Sequence, residues 1–129
     1  MKLEEEANKF MQDKLTIAEV MTADFYEMKA GQTAIFPKRQ ALEYLALGLT
    51  SEAGEVAGKV KKIIRDGADI EDYELKKIAI AAEIGDVIWY CAMLAKEVGV
   101  PLNDIMKDNL KKLHGRKVRG TLHGSGDNR

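Results

Sequence analysis

Four carboxylates stand in two matched pairs, Glu52 and Glu55 in LTSEAGEV and Glu83 and Asp86 in AAEIGDVIWY. Each pair has i, i+3 spacing, so on a helix its two side chains lie one turn apart on the same side and can converge on one cation. The second pair is the more telling. From Ile78 to Ala95 the only other ionisable side chains are Tyr90 and Cys91, and acids are almost never fully buried without a partner. No cation lies within that run. If the two pairs meet, carboxylates ~5 Å apart repel by about 3 kcal/mol per pair at an effective dielectric of about 20, so the cluster calls for a divalent metal. All-oxygen ligands suit Mg²⁺, with Mn²⁺ as a substitute, and no His or Cys sits at a spacing that would recruit zinc. Mg²⁺ keeps few protein ligands and leaves its other positions to water and substrate phosphates, which points to phosphate chemistry.

The elements that must position these acids are helices. Two prolines, no strand-type alternation, and long stretches rich in Ala, Leu, Glu, Lys and Met predict an all-α fold of four main helices. The first spans approximately Glu4 to Met28, with a possible break near Thr16 or Thr22, and ends at Gly31. The extended connection GQTAIFP leads to Pro37, which opens a second helix over about Lys38 to Asp66. Its apolar stripe, Leu42, Leu45, Leu49, Val56, Val60 and Ile63, includes the position of Glu52, which should therefore face the interior. A third helix is expected from about Tyr73 to Val98, closed by Gly99 and Pro101. The fourth runs from about Leu102 to Lys117, with Asn109 as a polar amide on the inward stripe of Leu102, Met106 and Leu113. The remainder, RGTLHGSGDNR, reads as a loop or mobile tail. The organisation predicted is a single helical domain over residues 1–120 and a Gly-rich tail over 121–129.

Composition limits the functional classes. A chain of 129 residues is one domain by length, and a small helical unit gains stability by oligomerising. With 20 Lys and Arg against 21 Asp and Glu, no strong field favours nucleic acid or an anionic membrane. The single cysteine, Cys91, reads as a core thiol. The acidic start, MKLEEEANKF, lacks the basic and apolar regions of a signal peptide, so a cytoplasmic location is expected. The run from Ile78 to Ala95 is nearly long enough to span a bilayer. Two central carboxylates, each costing roughly 2.5–3.5 kcal/mol at a helix centre, instead favour a buried helix of a soluble protein.

The order E-x-x-E on one helix and E-x-x-D on the next resembles the MazG-like nucleoside triphosphate pyrophosphohydrolases, within the dimeric dUTPase and MazG superfamily. The likeness extends to LGLTSEAGEVAGKVKK, EIGDVIWYCAMLA, the later N-L-K-K-L with Arg116, and the terminal GSGDNR, which cover most of Leu42 to Arg129. It implies a four-helix core assembled as a homodimer or homotetramer, with Mg²⁺ held by Glu52, Glu55, Glu83 and Asp86. It also implies attack of water at the α-phosphorus of a (d)NTP, giving the monophosphate and pyrophosphate. Glu52 is the candidate to orient or deprotonate that water, in keeping with the general-base chemistry of carboxylates beside metal-bound water. By the same resemblance, Lys59, Lys112 and Arg116 are candidate phosphate-binding cations and Asn109 a candidate for the sugar or base edge.

Plainer readings compete at several positions. An acidic pair can be a solvated helix face, and Glu83 with Asp86 can be bridged to Lys or Arg of another helix. Trp89 and Tyr90 could stack a base, but aromatics in an apolar helix read first as core or dimer interface. His114 and His123 fit no ligand spacing. The GSGD segment resembles a phosphate-cradling loop, with a disordered tail as the competing reading. Phosphoribosyl-ATP hydrolysis is the enzymatic alternative, and a non-catalytic metal-binding helical interaction module the alternative from another class.

Overall fold

The computed structural model describes residues 21–129, all in helices, turns and connections. Four α-helices follow in order: α1 (Ala23–Gly31), α2 (Ala41–Asp66), α3 (Ile70–Glu97) and α4 (Leu102–Arg119), with a 3₁₀ turn at Lys38–Gln40 leading into α2. No strand occurs among the described residues, so the all-α expectation holds. The expected helical segment before Met21 lies outside the described residues. Thr22, one of the two anticipated break points, is the N-cap of α1, its hydroxyl oxygen accepting from the Phe25 N–H at 3.1 Å.

The α2–α3 hairpin is the main body. Gly67, at a φ of 68° that side chains disfavour, ends α2, and its N–H caps the Ile63 carbonyl. Two residues later, Asp69 caps α3 through the Asp72 N–H at 2.8 Å. That cap explains why α3 begins at Ile70 rather than near Tyr73. The two helices pack as an antiparallel pair, and the 26 residues of α2 rise about 39 Å. At the far end α1 packs on α3 and α4, while α4 touches α1 and α3. Pro101 offers α4 no side-chain cap, and Glu27 of α1 substitutes, its carboxylate accepting from the Leu102 N–H at 3.1 Å. An acid at a helix N-terminus also meets the positive end of the helix dipole.

The core lies where all four helices approach. Leu45 and Ala92 are fully buried, Met93 and Ala30 nearly so, with Tyr26, Ala34, Phe36, Trp89, Tyr90, Leu94 and Leu102 packed around them. Toward the hairpin turn, two helices alone cover one another. The α2 stripe is therefore only partly realised: Leu45 is buried, and Leu49, Val56 and Ile63 are half-buried, while Leu42 and Val60 are exposed. The apolar run of α3 differs more from expectation. It includes a stretch long and apolar enough, by length and composition, to cross a membrane, yet Ile78 is 68% exposed and Ile84 and Ile88 are also exposed. Among the described residues, only α2 lies along that part of the helix. Nor does Asn109 face inward: it, Met106 and Leu113 are all exposed, with nothing among the described residues covering that face of α4.

Candidate metal centre and adjoining pocket

The hairpin brings the two acidic pairs to the same height. Glu52 lies fifteen residues before Gly67 and Glu83 fourteen after Asp69, so two antiparallel helices of equal rise place them opposite one another. One oxygen from each of Glu52, Glu83 and Asp86 falls within 4.8 Å of the others. Glu52 and Glu83 are half-buried and Asp86 is exposed. Glu55 is exposed and stands outside this close trio, near enough for its charge to act on Glu52. Partial burial, then the charges of Asp86, Glu83 and Glu55, raise the Glu52 carboxyl above the usual carboxylate range.

Hard oxygen donors gathered within 4.8 Å come close to what a divalent cation needs, since an octahedral Mg²⁺ with bonds of about 2.1 Å takes ligand oxygens about 3–4 Å apart and a small inward turn of the side chains would close the set. Lys59, one turn beyond Glu55, donates to Glu83 at 3.2 Å. It thus contributes one positive charge to the acidic cluster; of the two acids that the bridged reading covered, Glu83 and Asp86, it pairs with Glu83.

Beside the trio is an open concavity of about 350 Å³ lined by Thr33, Glu52, Asp86, Trp89 and Tyr90. Its aromatic wall is held from both sides. The Trp89 indole N–H donates to Thr33 Oγ1 at 2.8 Å, and the Thr33 hydroxyl donates to the Ala30 carbonyl at 2.7 Å, tying the wall to the end of α1. Trp89 and Tyr90 meet edge to face at 5.0 Å. Tyr90 lies against the backbone of α2 at Gly48, where a Cβ would sit 2.1 Å from its ring. Burial, then the neighbouring Tyr44 and Glu52, raise the Tyr90 phenol, so it remains a neutral donor. Tyr26 of α1 is also near enough for Asp86 to raise its phenol, after burial as the larger cause.

Trp89 and Tyr90, weighed in the sequence as base-stacking residues but read first as core or dimer interface, line this concavity, and Thr33 carried no spacing signal. A legible signal existed: Tyr90 lies four residues after Asp86, on the same face of α3. A larger concavity of about 460 Å³ between Phe36, Lys38, Met93 and Lys96 contains none of the acids. Its lining offers no comparable metal-binding set.

Of the other sequence candidates, Asn109 and Lys112 line a separate concavity on α4 with Ile105 and Asp108. Arg116 is buried, but beneath the C-terminal segment. Among the described residues, no hydrogen bond or ion pair links Asn109, Lys112 or Arg116 to the four acids. His114 and His123 are exposed. Cys91 is half-buried, and burial raises its thiol, as suits an unreactive packing residue.

Residues 40–120 match the MazG nucleotide pyrophosphohydrolase domain, a span that contains all four acids and the whole hairpin. The chain belongs to the MazG family. It is 44% identical over 115 residues to the Gene 37 protein of Mycobacterium phage L5, covering 84% of this chain and 100% of that protein. It is also 37% identical over 108 residues to the uncharacterized protein YvdC of Bacillus subtilis (strain 168), covering 80% and 95% of the two chains. No solved structure matches the chain significantly. Membership makes the chain a pyrophosphohydrolase-type hydrolase of a nucleotide-directed family, and the acidic trio is this MazG chain's candidate metal centre.

Proposed function

We propose that this MazG-family protein is a Mg²⁺-dependent nucleoside triphosphate pyrophosphohydrolase that converts (d)NTP to (d)NMP and pyrophosphate. The observation that carries the reading is the convergence of Glu52, Glu83 and Asp86 beside an aromatic-walled concavity. Glu52, Glu83 and Asp86 would hold the cation, with Glu55 joining from the edge. Bound Mg²⁺ would supply Lewis-acid stabilisation and acidify a coordinated water.

The chain's residues divide the remaining work. Glu52 is half-buried and has a raised proton affinity, which suits it to take the proton of the water attacking the α-phosphorus. Attack breaks the bond to the bridging oxygen, which leaves with pyrophosphate. Trp89 and Tyr90 offer apolar ring surface to the nucleoside, while Thr33 orients the indole. Lys59 must loosen its hold on Glu83 to assist the phosphates, exchanging one carboxylate partner for phosphate oxygens.

The same reading proposes a homodimer or homotetramer that acts on the free nucleotide pool in the cytoplasm, with neither nucleic acid nor membrane as partner. The exposed apolar side chains of α3 support the assembly. Asn109, Lys112 and Arg116, apart from the acids within one chain, would serve the polyphosphate tail.

The test is pyrophosphate release with Mg²⁺ across common NTPs, dNTPs and a few modified nucleotides, with Asp86→Ala as the control. A preference abolished by that substitution is expected. Silence across the panel with metal bound and the fold intact would overturn the reading in favour of phosphoribosyl-ATP hydrolysis or a binding module.

A further inference from the structure

The Gly-rich end of the chain folds back on α4. After Gly120 closes the helix in the left-handed region, the Thr121 N–H donates to the Arg116 carbonyl at 2.8 Å. The Arg129 guanidinium then spans the carbonyls of Thr121, Leu122 and Gly126, and Arg119 donates to the Arg129 carbonyl at 3.0 Å. These contacts set the Asp127 carboxylate between two cations, 3.6 Å from Lys112 Nζ and 3.3 Å from Arg116 Nη2. The two cations, Lys112 foremost, hold the Asp127 carboxyl below the usual range.

Asp127 is a poor occupant of that position. Arg116 is only 5% exposed, so its charge needs full compensation. Among the described residues it receives that compensation on one nitrogen alone: Nη2 reaches the Gly126 carbonyl, the Asp127 carbonyl and Asp127 Oδ1, each at 3.3 Å. These contacts are longer than the 2.7–2.9 Å usual for a charged pair. Arg116 Nε is buried without a partner among the described residues. A guanidinium presents Nε and Nη2 as a fork that matches two oxygens of one oxyanion, and Asp127 leaves half of that fork empty. The carboxylate itself is 87% exposed and loses little on release.

We propose that the Lys112 and Arg116 pair, to which the pyrophosphohydrolase reading already assigns the polyphosphate tail, is held shut in the free protein by Asp127 of the C-terminal segment. An arriving oxyanion takes the Arg116 fork and the Lys112 ammonium, and Asp127 swings into solvent. Gly124 and Gly126, both at positive φ, form the turns from which the segment is released. The choice of a polyphosphate as ligand rests on the pyrophosphohydrolase reading, whereas the plugged site rests on the geometry.

The test is calorimetric titration of the full chain with inorganic pyrophosphate and with tripolyphosphate, in EDTA so that the acidic trio takes no part. Asp127→Asn should bind about two- to fivefold tighter than the wild type, the range expected for removing one exposed ion-pair partner. Asp104→Asn, which removes a charge from the first turn of α4, should change nothing, and Lys112→Met should lose the gain when added to Asp127→Asn. Tighter binding of tripolyphosphate would mark the site as one for the substrate's tail, and tighter binding of pyrophosphate as one for the product. In the wild type, the Gly126 and Asp127 amide resonances should shift as ligand is added, a readout independent of how well any variant folds. Absence of binding, equal affinity in Asp127→Asn, or an unmoved segment in ligand-bound wild type would overturn the plug and leave a fixed helix cap. Because the readout needs neither metal nor turnover, a silent nucleotide panel and a failed plug are separable results.

Discussion

At the scale of single residues, Glu52 is the proposed acceptor of the attacking water's proton. Its carboxyl is raised, so in the metal-free protein its charge opposes folding above that raised value, and the opposition fades as pH falls through it. A metal bound as proposed would reverse the balance, because ligation favours the ionised form and releases a proton. Asp86→Asn should therefore raise the metal-free melting temperature by roughly 2–4 °C, and the stabilisation by Mg²⁺ expected of the wild type should be absent from it. Thermal denaturation with and without Mg²⁺, repeated at mildly acidic pH, checks both signs. The wild type should bind metal more weakly as Glu52 takes up its proton. Gly48 has the opposite character, since nothing about it is ionic. Gly48→Ala puts a methyl group into the Tyr90 ring and should cost about 1–3 kcal/mol by urea denaturation, through forced displacement of the pocket wall.

Among the elements, the C-terminal segment and α4 are coupled by charge. Asp127 has a lowered folded-state carboxyl, so its contribution to closure is present above the unfolded aspartate value of about 3.9 and is lost as pH falls through its lower folded value. Amide exchange at Gly126 and Asp127, corrected for its intrinsic pH dependence, should lose protection over that acidic window while the α2–α3 hairpin keeps its own. The helix limits themselves were largely readable. Gly67 and Gly120 stop α2 and α4, and Asp69 starts α3, each for a local reason of dihedral or cap. Burial along α4 was not, because Asn109 shares a stripe with Leu102 and Leu113 but no described helix lies against that length.

For the whole molecule, the apolar face that α3 leaves uncovered among the described residues is the dominant fact. Ile78 and Leu75 are largely exposed, as is Ile64 on α2, in a chain whose buried core lies at the other end of the hairpin. Light scattering after size exclusion should give a multiple of the 14.3 kDa chain mass. Ile78→Asp should shift it toward a single chain, since a charge placed in an apolar interface is costly to desolvate. A wild-type mass of one chain would defeat the assembly proposal.

The amino-acid order by itself determined the helical class, the helix stops and the pairing of acids by i, i+3 spacing, because these depend on local dihedrals, caps and periodicity. It also carried the family resemblance that the match over residues 40–120 bears out. The tertiary structure decided which acids meet: Glu52, Glu83 and Asp86 close into a trio, whereas Glu55 points outward from the same helix. It decided too that Trp89 and Tyr90 wall a concavity and that Asp127 lies between Lys112 and Arg116. Spacing specifies the face of one helix, but convergence depends on the rotation and height of a second element, which distant contacts set.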